Sequence, residues 1–178
     1  MKNLITLSFV LMLGTACSTV YSPEPMGSAP LHLDESGMEW AGNWIDDQGD
    51  AYLVSVTDAS EGILKVSWLE EDDDNVEMKV QRMHLRKSGD WSFISMGHGD
   101  PPKHYSWARI KTEKRQVILW IPDTTGFKAL VEQGKLPGSV DGDDVYLENL
   151  NAEHMELIMS GDHMLLDWET PFVFRRSD

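Results

Sequence analysis

The chain has 178 residues, with 30 Asp and Glu against 15 Lys and Arg, a net charge of −15 with histidine neutral, and a single cysteine. An acidic balance of this size is repelled by phosphate backbones and anionic headgroups, which argues against nucleic-acid binding and against a domain lying flat on a membrane. A lone thiol excludes an internal disulfide, and the length suits one domain with a real core.

Met1-Lys2-Asn3 supplies one positive charge, and residues 4–13 are apolar apart from Thr6 and Ser8. As a helix this run rises about 15 Å, half the roughly 30 Å of a bilayer core, so it is too short to span. A basic start, a short apolar centre and small residues after it form the pattern of an export signal. Gly14, Thr15 and Ala16 lead into Cys17, and "LGTAC" resembles the lipobox of bacterial lipoproteins, with Gly14 where leucine is most usual. The resemblance implies a signal peptide over 1–16 and lipid attachment at Cys17, which anchors the chain to a membrane and uses up its only thiol. Ser18, where an Asp would favour inner-membrane retention, implies by the same resemblance an outer-membrane protein facing the periplasm. Residues 18–37 are rich in Ser, Pro and Gly with no sustained period, so 17–37 is expected to be a lipidated linker. The remainder, 38–178, is expected to be a single β-rich domain.

Strand patterns then follow one another. "AYLVSV" groups Tyr52, Val54 and Val56; "ILKVSWL" groups Leu64, Val66 and Trp68; "VEMKV" sets Val76, Met78 and Val80 against Glu77 and Lys79; "WSFISM", "YSWARI" and "QVILWI" continue the series. Turn-rich stretches at 46–50, 58–62, 71–75, 87–90 and 112–115 separate them, and such short connections predict antiparallel neighbours in an up-and-down sheet from about Trp40 to Ile121. Two short helices are expected in the C-terminal third: one with Phe127, Leu130 and Val131 on a face and Gly134 at its end, and one capped by Asn151 with Met155, Ile158 and Met159 together. Between them "DDVYLENL" reads as a short strand. "HMLLDW" and "PFVFRR" read as a closing hairpin.

A sheet of this many antiparallel strands must curl, split or close. Gly42-x-Trp44 at the start of the first strand and Arg175-Arg176 on the last resemble lipocalins, in which a late basic residue covers the tryptophan ring of a Gly-x-Trp. The resemblance implies a closed or partly closed barrel.

Trp68, Trp91, Trp107 and Trp120 lie in successive strand candidates with Tyr105 nearby, and as lumen-facing residues they would line a pocket for a small apolar ligand. As ordinary core they would bind nothing. His98, Asp100 and His104 share one Gly/Pro-rich loop, where two imidazoles and a carboxylate have the chemistry for zinc or copper, although their spacing matches no established ligand motif. No cofactor is called for, and no phosphate loop, nucleophile elbow or His-Glu-x-x-His is present. The leading expectation is a non-enzymatic envelope lipoprotein with a binding domain. Its occupant is either a small apolar ligand or an envelope protein; a hydrolase built from scattered carboxylates and histidines is the third reading. The lumen discriminates: a cavity lined by tryptophans favours the ligand, and a filled core with an exposed apolar patch favours the protein.

Overall fold

The computed structural model describes residues 18–72, 75–161 and 165–177; the expected signal peptide and Cys17 lie outside them. Seven strands run in meander order: β3 (Gly42–Ile45), β4 (Ala51–Asp58), β5 (Ile63–Asp72), β6 (Asn75–Ser88), β7 (Trp91–His98), β8 (His104–Glu113) and β9 (Gln116–Trp120). Six of them are those expected from the alternating runs and β3 is the strand that starts with Gly42-x-Trp44, each antiparallel to the next. The last strand, β12 (Phe172–Arg176), enters between β9 and β3, pairs antiparallel with both, and closes an eight-stranded barrel.

That closure replaces the hairpin expected between "HMLLDW" and "PFVFRR". His163 and Met164 lie outside the described residues, and Leu166 forms only an isolated bridge to Pro122. β9 and β3 each offer β12 an open edge, whereas 165–168 offers no regular strand for it to pair with.

At the seam, Gly42 sits at φ 134°, and a Cβ there would come within 3.0 Å of Arg176 Nε. The missing side chain lets the arginine pack over the first strand, with Arg176 opposite Trp44 in the register and bonded to Glu39.

Inside the ring lie Trp44, Tyr52, Leu64, Trp68, Met83, Leu85, Ile110, Leu119 and Phe174, joined by Leu33 and Trp40 from the preceding segment. A second apolar cluster lies outside the barrel wall. Phe93 of β7 and Trp107 of β8 are covered there by helices α1 (Thr124–Glu132) and α2 (Ala152–Met159), with Val20 and Val145. Asp123 caps α1 by accepting from the Thr125 and Gly126 amides. Asn151 and His154 form a reciprocal capping box on α2, so both helices start where their cap residues predict.

The segment 18–37, expected to be a linker, is packed on the barrel. β1 (Val20–Ser22) pairs with the first half of β8 and, in parallel, with β11 (Asp144–Leu147), which pairs in turn with β10 (Gly138–Asp141). β2 (Ala29–Pro30) pairs with β6. Val20, Met26 and Leu33 are all buried, and these three apolar anchors hold a stretch whose composition reads as coil. Among the described residues no helix is long and apolar enough to cross a membrane.

Candidate functional site

The lumen is largely filled by its own side chains. Its cavity measures about 70 Å³ and is walled by residues such as Trp40, Trp44, Tyr52, Leu64, Met83 and Phe174. Pockets for drug-sized ligands run roughly 300–1,000 Å³, so an acyl chain does not fit here without displacing the core.

Of the four tryptophans read either as lumen lining or as ordinary core, only Trp68 lies inside the ring. Trp68 joins the interior cluster together with Leu64 and Val66, as its period-two neighbours require. Trp107 lies on the opposite side of the wall, 1% exposed, with Phe93 and Phe127 meeting its ring edge-on at 5.8 and 5.6 Å. Tyr105 shares that outward parity and meets the His84 ring at 5.8 Å. Trp91 and Trp120 also lie outside, where with Trp168 they surround the Arg109 guanidinium at 4.0, 5.3 and 4.8 Å from their ring centres. Burial among these rings holds the Arg109 pKa below its ordinary value. The cage fastens the segment carrying Trp168 to the barrel through cation–π attraction.

A larger hollow of about 620 Å³ lies between residues 22–28 and α2, with Met26, Met155, Met159 and Leu150 among its walls. Methionine is conformationally adaptable and suits such a surface to varied occupants.

His98 and His104 are brought together as directly opposed partners on β7 and β8, their rings stacked 5.6 Å apart. Asp100 is exposed in the connecting loop. Among the described residues no three His, Cys, Asp or Glu side chains converge as a metal site, so the carboxylate expected beside the histidines does not complete one. Two tyrosines stand beside the pair instead. Tyr21 of β1 lies 5.4 and 4.6 Å from the two imidazole centres, and Tyr146 of β11 lies 5.6 Å from His104. Tyr21 was hidden by reading its segment as a linker.

The β5–β6 hairpin inverts the usual alternation. Glu77 and Lys79 turn to the side of Trp68 and Met83, where Lys79 Nζ bonds Glu77 at 2.6 Å and lies 3.3 Å from Glu70. Val76, Met78 and Val80 therefore point outward. On the outer wall Ile45 pairs with Ala51 and Leu69 with Met78, and beside them Leu53, Ser67 and Val80 form one rung. Leu53, Leu69 and Met78 are 55%, 62% and 66% exposed. The alternation in "VEMKV" located this stripe but not its direction, since period two separates two faces without saying which is covered.

No protein-family model, no curated protein and no solved structure matches this chain.

Proposed function

We propose that this chain is a lipid-anchored protein of the bacterial envelope, held at Cys17 in the outer membrane, whose barrel docks another envelope protein through the outer wall of β3–β6. The observation that carries the docking reading is the contiguous exposed apolar stripe of Ile45, Leu53, Leu69, Met78 and Val80 beside a nearly filled lumen. Large exposed apolar patches on soluble domains mark interaction surfaces.

The anchor supports a protein partner over the bilayer as occupant. Ser18 accepts a hydrogen bond from Thr124, and the Thr19 amide donates to Asp144, so the chain is tied down immediately after Cys17. β1 flanks β8, while β4 and β5 stand across the ring from β8. A lipid on Cys17 would thus enter on the β8 side of the barrel, across the ring from the apolar stripe.

A photoreactive residue at Leu69 or Met78 of the full chain, in cells, should give a specific adduct. Leu53→Glu should abolish it, and the same probe at half-exposed Lys128, on the helical side, should not form it. Cys17→Ala should release the protein from the membrane fraction. No adduct, or one equally strong at Lys128, sinks the docking reading. The 620 Å³ methionine-lined groove keeps the small apolar ligand as the second reading. Fluorescent fatty-acid binding that is lost in Met155→Glu would put it first.

A further inference from the structure

The geometry points to a binding site for a divalent transition-metal ion of the zinc or copper type between His98 and His104, with a phenol oxygen of Tyr21 or Tyr146 as a further ligand. This inference does not rest on the docking reading.

Direct opposition across the β7–β8 hairpin puts both imidazoles on one face, with centres 5.6 Å apart. Zinc–nitrogen bonds of about 2.1 Å bring two imidazole centres on one ion to roughly 5 Å, close to the separation here. The His98 Nε2 is hydrogen-bonded to Ser106 Oγ at 2.8 Å, which orients the ring as outer partners of metal-bound histidines do and leaves Nδ1 for the ion. Among the described residues no side chain or backbone group hydrogen-bonds the His104 ring.

Tyr21 stacks on Tyr146 at 4.9 Å, and each of them touches His104, so four rings close around one spot. Two nitrogens and phenol oxygens are donors for copper(II) or zinc; calcium and magnesium require mainly carboxylate and carbonyl oxygens. A bound ion would also fasten β1, the strand next to Cys17, to the barrel wall.

The test is calorimetric titration of the chelator-treated protein, residues 18–178, with zinc chloride and separately with a copper(II) salt. One equivalent should bind, and His104→Gln should weaken it by at least about tenfold. His98→Gln should do the same, and circular dichroism should show both variants folded. If His98→Gln unfolds through loss of its Ser106 bond, His104→Gln decides alone. The double variant Tyr21→Phe/Tyr146→Phe keeps the rings, removes both oxygens and should weaken binding several-fold. His84→Gln alters a half-buried histidine outside the cluster and should leave binding unchanged. No uptake of either ion, unchanged affinity in His104→Gln, unchanged affinity in the double tyrosine variant, or an equal loss in His84→Gln would each overturn the inference.

Discussion

Trp107 is enclosed by Phe93 on its own sheet and Phe127 from α1, and its burial joins the barrel wall to the helical layer. Trp107→Ala should therefore cost about 3–5 kcal/mol of stability, measured by urea unfolding, because the rigid layers on either side cannot collapse into the gap. A loss under about 1 kcal/mol would show that it does not bridge the layers. A second effect at this scale concerns histidine. His84 is held below the ordinary imidazole pKa by burial and then by Arg82 and Arg86; His98 is held below it by burial and then by His104. The unfolded chain then takes up these protons before the folded one does. Stability should fall as pH drops below about 6.5 and stop falling from this source once pH lies below the folded values. The metal-free protein should lose stability between pH 7.5 and 5.5, and His84→Asn/His98→Asn should flatten that slope. An equal slope in the double variant would refute the assignment.

At the scale of elements, β1 and the following residues reach around the barrel and insert Val20, Met26 and Leu33 into its two apolar clusters. Each such side chain contributes roughly 1.5–3 kcal/mol when buried. A chain starting at residue 38 should be several kcal/mol less stable than one starting at residue 18, and should bind a dye for exposed apolar surface. Equal melting temperatures for the two would return 18–37 to the status of a linker. Sequence exposed the helices well, because Asp123 and Asn151 are cap residues directly before apolar faces and their local chemistry sets the boundary. It concealed β1 and β2, since strands of two or three residues carry no period and are ordered only by their partners.

Across the whole molecule, the meander was legible because short turns join neighbouring strands and alternation repeats in each. The allocation of faces was not. Ser106, Trp107 and Ala108 are consecutive and all buried, since β8 is covered by the lumen on one side and by the outer layer on the other. Polarity does not mark the two sides here, since Ser106 lies on the lumen side and Trp107 on the outer one, so Trp107 and Trp68 look alike in sequence while lying in different clusters. The paired histidines were visible as a pair. Their tyrosine neighbours come from β1 and β11, too far along the chain for spacing to reveal.

The insertion of β12 between β9 and β3 also governs the order of assembly. A chain made or exported from its N-terminus can form every hairpin from β3 to β9 while the seam stays open. Arg175 and Arg176 meet Ile45 and Trp44 only when residues 172–176 have emerged, long after the β3–β9 hairpins. Until then two strand edges stand unpaired and the apolar interior is accessible, a state prone to aggregation. Contacts this distant in sequence slow folding, so the exposed interval lasts at least until synthesis or export delivers residues 172–176.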